Sequence, residues 1–130
     1  MTPLEVLGAY RKIAVVGLSD KPGRPSHSVA SFLMSRGYEI IPVNPGLDEV
    51  LGLKCYPDLK SVPGPVEIVD IFRRSEFVSP IVDDAIAIGA RAIWMQLGVI
   101  DEEAAGRARA AGLEVVMDRC PAIELRRARA

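Results

Sequence analysis

The sequence predicts an α/β fold: a doubly wound parallel sheet of five strands, in the order 3-2-1-4-5, with helices on both faces. Five short apolar segments alternate with helical segments along the 130 residues, as in parallel strands joined by right-handed crossovers. The first apolar segment shows no polar alternation, as expected for a strand covered on both faces. We expect one domain, 1–130, because this length suffices to bury a core.

Strands and helices are predicted in regular succession. Predicted strands cover residues 13–16, 39–43, 66–72, 91–96 and 114–117. Predicted helices cover residues 3–10, 26–36, the stretch between Ser79 and Gly89, the stretch between Asp101 and Gly112, and residues 121–129. Residues 47–65 are expected to be irregular apart from one helical turn near 57–60, because three prolines and two glycines lie between positions 52 and 65.

Several helix starts carry residues that favour capping. Ser26, Ser79 and Asp101 are predicted N-caps, since their side-chain oxygens can accept hydrogen bonds from the first turn. Three apolar side chains at helical spacing give the 26–36 helix its predicted core face: Val29, Phe32 and Leu33.

Composition and charge narrow the class of protein. Hydrophobic residues make up 49% and charged residues 25% of the chain, with a formal net charge of -1. This is typical of a globular protein and offers no basic footprint for nucleic acid. No apolar run reaches the length of a membrane span, and the N-terminus lacks a signal-peptide core. The cluster of Arg126, Arg127 and Arg129 is interpreted as a solvated last helical turn. We therefore expect neither nucleic acid nor a membrane as a partner.

The cysteines and the histidine argue against a disulfide framework and a zinc site. Cys55 and Cys120 are isolated thiols, which suit a reducing cytosol, so a cytoplasmic protein is expected. His27 is the only histidine, and no second Cys or His lies near either thiol in the sequence. We therefore predict no metal site.

A ligand site is predicted beyond the carboxyl ends of the strands, where the strand order reverses. For the order 3-2-1-4-5 this point lies between strands one and four. The loops expected to meet there are residues 17–28, 44–46, 72–78 and 96–99.

The stretch 12–36 carries the clearest chemical signal. A buried strand, a loop with glycine and proline, and a following helix form the geometry in which backbone N–H groups hold a phosphate. Side chains in the loop add hydroxyl donors and positive charge: Ser19, Lys21, Arg24, Ser26 and Ser28. Arg24 could hold a phosphate through two parallel charge-assisted bonds. The alternative is that Lys21 and Arg24 are solvated charges and Ser26 is only a cap, but phosphate binding is favoured for the loop as a whole.

The same loop is a poor match to a dinucleotide-binding site. After Gly17 the next glycine is Gly23, unlike the spacing of GxGxxG. At the end of strand two, Val43, Asn44 and Pro45 stand where an acidic residue would hold the ribose diol of NAD. These differences count against NAD and against hydride transfer.

Five segments in order resemble the single-domain CoA-binding proteins, whose fold also opens the α subunit of succinyl-CoA synthetase. These segments are GLSDKPGRPSHSVASFL, IIPVNPG, VDIFRR, IWMQLGV and VVMDRCPAIE. The resemblance covers residues 13–124. It implies a Rossmann-like domain that binds coenzyme A or a close relative of it.

The resemblance also implies where the parts of coenzyme A would lie. The pyrophosphate or the pantetheine arm would approach Gly17, Leu18 and Ser19, and the adenosine side would lie against Val43, Asn44 and Pro45. The adenine would be flanked by Phe72, Arg73 and Val78, and the pantetheine would run along Met95, Gln96 and Gly98.

The synthetase uses a phosphorylated histidine in a second domain, and we expect no counterpart of that domain among these 130 residues. His27 lies in the ligand loop without an evident acid or base partner, so a structural or ligand-contact role is favoured over catalysis. The leading hypothesis is a CoA-binding protein without chemistry of its own. One alternative is a subunit whose protein partner supplies catalysis, and another is a module that reports the CoA level through homo-oligomerisation.

Five other residues are weighed for a chemical role, each on a less specific signal. Asp70 lies in an apolar strand and is expected to accept hydrogen bonds from neighbouring loop N–H groups. Asp118 and Arg119 are expected to pair and anchor the last helix, in preference to activating Cys120 as a thiolate. Trp94 is expected to lie in the core.

Overall fold

A parallel five-stranded sheet lies at the centre of the computed structural model, which describes residues 1–128. In chain order, the strands are β1 (Lys12–Val16), β2 (Glu39–Val43), β3 (Glu49–Val50), β4 (Leu53–Lys54), β5 (Ile68–Ile71), β6 (Ala92–Met95) and β7 (Glu114–Val116). The helices are α1 (Pro3–Ala9), α2 (Pro25–Ser35), α3 (Val78–Ala87), α4 (Glu102–Ala110) and α5 (Pro121–Arg127). The main sheet has the order β2-β1-β5-β6-β7, and every pairing within it is parallel. The predicted Rossmann-like α/β class is thereby confirmed.

The strand predicted as third in the sheet occupies a different place. Residues 66–72 were expected at the edge beside β2, but β5 pairs with β1 instead. The edge position is taken by a short segment ending at Tyr56, which bridges Val43 in parallel and donates its N–H to the carbonyl of Pro42 at 3.0 Å. With that segment counted as third, the arrangement is of the 3-2-1-4-5 type. The order therefore still reverses beside β1, between β1 and β5.

Residues 47–65 are more ordered than expected. β3 and β4 pair as a small antiparallel hairpin, and Leu59–Ser61 forms a single 3-10 turn. Strands of two residues are too short to show the alternation that reveals a strand in a sequence. The hairpin brings Tyr56 to the edge of the main sheet.

Two of the three predicted N-caps are wrong. α2 is capped by Arg24 without a side-chain bond, so Ser26 lies inside its first turn. α3 already begins at Val78, so Ser79 is also inside the helix. Both helices carry a proline in the first turn, Pro25 and Pro80, where its missing N–H would have no partner, so each helix can begin before the predicted cap. Asp101 is confirmed as a cap, since its carboxylate accepts the N–H of Ala104 at 3.0 Å.

Each face of the sheet has its own apolar core. α1, α2 and α5 cover one face, where Leu7, Leu33 and Trp94 are almost fully buried. α3 and α4 cover the other face, where Val82 and Ala105 are buried. The expected core position of Trp94 is confirmed, and its indole N–H donates to the carbonyl of Arg119 at 2.8 Å.

The remaining side chains of the predicted α2 face are only half-buried. Val29 packs at the margin of the core, and the guanidinium groups of Arg36 and Arg126 lie 5.4 and 4.4 Å from the centre of the Phe32 ring. Arg126, which was predicted to be only solvated, therefore also packs against Phe32. Arg129, the third arginine of the predicted terminal cluster, lies outside the described residues. None of the helices found in residues 1–128 combines the length and the apolar character needed to cross a membrane.

Candidate functional site

A cleft of ≈ 490 Å³ opens at the carboxyl edge of the sheet, where the turn from β1 into α2 faces the ends of β2 and β5. Seven residues predicted for the site line it: Gly17, Ser19, Lys21, Arg24, Ser26, Asn44 and Phe72. Four further lining residues had not been singled out: Asp20, Pro25, Gly46 and Leu47. The first three of these lie in loops that the topology already indicated, whereas Leu47 lies beyond them and carried no signal of its own.

Gly17 lets the loop after β1 pass between two neighbouring strands. Its φ of +89° is left-handed, and a Cβ there would lie 2.4 Å from the carbonyl oxygen of Phe72. Its N–H donates to the carbonyl of Val43 at 2.8 Å. Only glycine fits this backbone conformation and this close approach, so the position of the whole loop depends on Gly17.

The loop then folds back onto the start of α2. The N–H of Ser19 donates to the buried hydroxyl of Ser26 at 3.0 Å, and the N–H of Lys21 donates to the hydroxyl of Ser19 at 3.1 Å. The N–H of Arg24 donates to the carbonyl of Lys21 at 3.0 Å and closes a turn. Ser26 was predicted to cap the helix, but its hydroxyl instead accepts a hydrogen bond from the loop and helps to hold the loop in place.

Positive charge lies on the rim of this loop. The exposed Lys21 and Arg24 form no ion pair with any residue in 1–128, although Asp20 also lines the cleft. The start of α2 offers fewer free donors than expected, because the N–H groups of His27 and Ser28 already lie 3.1 and 3.2 Å from the carbonyl of Arg24. Within the described chain, the N–H of Ser26 has no acceptor. The cleft therefore combines two cations, one helix N–H and the hydroxyls of Ser19 and Ser26 with the carboxylate of Asp20.

Asn44 joins the end of β2 to this loop. Its side-chain amide donates to the carbonyl of Leu18 at 3.1 Å, while its side-chain oxygen accepts the N–H of Gly46 at 3.0 Å. Its backbone N–H donates to the carbonyl of Tyr56 at 2.9 Å. Both polar atoms of the Asn44 side chain are therefore already engaged in bonds that hold the loop together.

The other predicted site residues are distributed around the cleft. The side chains of Leu18, Val78 and Met95 are fully buried, and Val43 is nearly so. Pro45 and Gly98 are exposed, and His27 is half-buried in the first turn of α2 without lining the cleft. The guanidinium of Arg73 lies 4.4 Å from the centre of the Phe77 ring.

A buried polar pair lies below the loops that follow β5 and β6. Gln96 donates its side-chain amide to Oδ1 of Asp70 at 2.8 Å, and both residues are almost fully buried. Oδ2 of Asp70 has no hydrogen-bond partner in residues 1–128. Burial raises the pKa of Asp70 to about 7, against the opposing effect of the bond from Gln96. The prediction that loop N–H groups would bind Asp70 is wrong, because the partner is a side chain 26 positions away.

The predicted pairing of Asp118 with Arg119 is also wrong. Asp118 instead accepts the N–H of Gly98 at 2.7 Å, and Arg119 forms an ion pair with Glu124 at 3.2 Å. Cys120 is buried directly before α5, and burial raises the pKa of the other thiol, Cys55. In the described part of the chain, no three His, Cys, Asp and Glu side chains converge to hold a metal ion.

Comparison with known proteins extends over nearly the whole chain. The uncharacterized protein YneT of Bacillus subtilis is 45% identical over 116 residues, which are 89% of this chain and 86% of YneT. The solved structure of a hypothetical protein from Pyrococcus horikoshii is 38% identical and superposes with a TM-score of 0.94, covering 100% of this chain and 94% of that one.

A more distant relative is a much longer protein. The ADP-forming acetate–CoA ligase II of Archaeoglobus fulgidus is 30% identical over 95 residues, which are 71% of this chain but 14% of the ligase. This chain therefore corresponds to a small part of that relative. The profile of the CoA binding domain matches residues 11–126, and the chain accordingly belongs to the CoA binding domain family.

Proposed function

We propose that this protein binds coenzyme A, or an acyl-CoA, in the cleft at the start of α2 as a single domain, and performs no reaction on it by itself. One observation carries the proposal: the match of residues 11–126 to the CoA binding domain family. The cleft lies where ligands bind in sheets of this kind, at the reversal of strand order.

The chemistry of the cleft suits the anionic end of coenzyme A. Lys21 and Arg24 are free to pair with phosphate oxygens, and the N–H of Ser26 can add a donor at the start of an eleven-residue helix. A guanidinium binds a phosphate through two bonds, each strengthened by charge. In this proposal the phosphates lie against residues 17–26, and the pantetheine extends towards Gln96 and Gly98.

The end of β2 favours coenzyme A over NAD. An NAD site requires a carboxylate there for the ribose diol, but Asn44 occupies that position and its side chain already binds Leu18 and Gly46. Pro45, the next residue, has no N–H to offer. A ribose diol would therefore find no carboxylate at this end of β2.

Isothermal titration of the protein with CoA, NAD and ATP tests the proposal. We expect CoA to bind, ATP to bind more weakly because it lacks the pantetheine arm, and NAD to bind least. Binding of NAD without binding of CoA at high micromolar concentration would contradict it. Incubation with acetyl-CoA, followed by mass spectrometry for free CoA, tests the absence of a reaction, and turnover would refute that part alone.

A second candidate function is that of a subunit in a larger CoA ligase. It is favoured by the similarity to a segment of the ADP-forming acetate–CoA ligase II, a much longer enzyme. If it is right, the tagged protein purified from its own cells should carry a second chain, and the mixture should form ADP from ATP, acetate and CoA. This second function would be excluded if the protein purifies as a single chain and the cell proteins retained by it form no ADP.

A further inference from the structure

Three large apolar side chains are exposed on the loops that follow β5 and β6, and the hydroxyl of Ser75 joins these two loops. Phe77 is 36% exposed, Leu97 is 59% exposed and Ile100 is 46% exposed. We call these three residues the apolar lip. Exposed apolar side chains cost free energy in water, and a group of them close to a ligand site can mark a place of binding.

The apolar lip is held in place by side chains from two other loops. The hydroxyl of Ser75 accepts the N–H of Ile100 at 2.9 Å and lies 3.5 Å from the carbonyl of Gly98. Asp118, which follows β7, accepts the N–H of Gly98 at 2.7 Å. The exposed side chains are therefore presented on a braced backbone, so that little ordering would be needed on binding.

The apolar lip is continuous with the cleft through Arg73. The Cδ of Arg73 would lie 3.1 Å from a Cβ placed on Gly17, and its guanidinium lies over the ring of Phe77 at 4.4 Å. Phe72, the neighbour of Arg73, lines the cleft itself. One side chain thus spans the distance between the phosphate loop and the apolar lip.

The small extent of the apolar lip favours a ligand over a protein as its occupant. Charged, exposed residues lie beside it: Arg74 and Glu76 form an ion pair at 3.2 Å next to Phe77, and Asp118 and Arg119 line a recess together with Leu97. A stable protein interface buries about 800 Å² on each partner and has an apolar centre. Three side chains within a charged border cover less surface than that, but they match a short aliphatic chain.

We propose that the apolar lip holds the acyl chain of an acyl-CoA whose nucleotide end lies in the cleft. This inference rests on the proposed function. The cleft lies beside β1 and the apolar lip follows β5 and β6, which are the next two strands of the sheet. Two strand spacings amount to about 10 Å, less than the length of an extended pantetheine arm. The thioester would therefore reach the loop after β6, and its acyl group would lie against Leu97 and Ile100.

Affinity measurements with CoA, acetyl-CoA and hexanoyl-CoA test this inference. We expect hexanoyl-CoA to bind about tenfold more tightly than acetyl-CoA, because partial burial of four further methylenes contributes that much. The double variant Leu97→Ser/Ile100→Ser should reduce the ratio below about two, and because both thioesters share the CoA portion, any effect on the binding of that portion cancels in the ratio. The matched control is Met34→Ser, which removes an exposed apolar side chain near the end of α2, at the opposite edge of the sheet. It should keep the full ratio.

The outcomes separate this inference from the proposed function. Equal binding of the two thioesters, or a ratio that survives in the double variant, would overturn the inference while CoA binding stands. If CoA itself does not bind, the proposed function fails, and the inference with it. A change in molecular mass by light scattering in the double variant, with the ratio intact, would assign the apolar lip to a protein contact instead. As a second readout on the unmodified protein, the methyl resonances of Ile100 should shift further with hexanoyl-CoA than with CoA.

Discussion

The loop after β1 and the loop after β6 lie at the same edge of the sheet but are built in different ways. The first, residues 17–24, is held largely by groups near it in sequence: the glycine conformation of Gly17 and the hydroxyls of Ser19 and Ser26. It presents Lys21 and Arg24 to solvent. The second, residues 96–101, is held by side chains from elsewhere in the chain, and it presents Leu97 and Ile100.

This difference shows how one edge of a sheet can offer a polar loop to one end of a ligand and an apolar loop to the other end. The polar loop lies at the start of α2, where backbone donors and charges suit phosphate. The apolar loop lies two strands away, where Leu97 and Ile100 are held on a fixed backbone and offer apolar contacts instead of charges. An amphipathic ligand would then be fixed at both ends by rigid elements.

The largest expected effect comes from breaking the frame of the first loop with Gly17→Ala. A Cβ at 2.4 Å from the Phe72 carbonyl, added to a left-handed φ, should lower the free energy of unfolding by about 4 kcal/mol or more. Urea denaturation measures it. The control is Gly23→Ala in the same loop, where an added Cβ meets nothing within 4 Å. Equal stability of the two variants would contradict the structural role of Gly17.

The second largest effect concerns the buried pair of Asp70 and Gln96. The pKa of Asp70 is raised to about 7, against about 3.9 in an unfolded chain. The folded protein therefore holds this proton over a pH range in which the unfolded chain has lost it. The stabilisation is complete below about pH 4 and is lost as the pH rises through about 7, which amounts to about 3 kcal/mol between pH 5 and pH 8.

The variant Asp70→Asn tests this pH dependence. Its unfolding free energy should fall less between pH 5 and pH 8 than that of the unmodified protein, and it should be the more stable of the two at pH 8. The groups that surround Asp70 add no charge of their own, since Leu7, Ile13, Ile68, Trp94 and Pro121 line the space beside it. Parallel pH profiles of the two proteins would show that Asp70 titrates normally.

The third effect sharpens the polar side of the comparison. Arg24→Ala and Lys21→Ala should each weaken CoA binding by roughly fivefold, because each removes a charged partner of a phosphate at an exposed site. The losses should shrink as salt is added. Arg109→Ala, on the exposed end of α4, is the matched loss of a cation and should have no effect. If Arg24→Ala leaves CoA affinity unchanged, the phosphate assignment of that side chain is wrong.

The smallest effect comes from a matched pair of hydroxyls, one in each region. Ser26 accepts the N–H of Ser19 at 3.0 Å, and Ser75 accepts the N–H of Ile100 at 2.9 Å. Replacement of either by Ala should cost about 0.5–1 kcal/mol of stability. The effects on ligand binding should differ. Ser26→Ala should weaken the binding of CoA itself, whereas Ser75→Ala should reduce only the preference for hexanoyl-CoA over acetyl-CoA. If the two variants change the affinities for CoA, acetyl-CoA and hexanoyl-CoA in the same way, the two loops do not bind different parts of the ligand.

The sequence by itself determined the alternation of strands and helices, the cap at Asp101, the buried Trp94 and the place of the cleft after β1. These features depend on signals contained in one segment, such as an unbroken apolar run or a capping residue before a helix. Local signals are readable because their energetic cause lies within a few residues of them.

Only the tertiary structure decided which strand lies beside β1 and which partner each polar side chain has. Tyr56 occupies the sheet edge beside β2, Asp70 binds Gln96, and Asp118 binds the backbone of Gly98 instead of Arg119. Each of these contacts joins residues far apart in the chain, and an extended run or a lone carboxylate has the same local pattern whichever partner it finds. The choice is made by packing, because a buried polar group must take the donor that the folded chain brings to it.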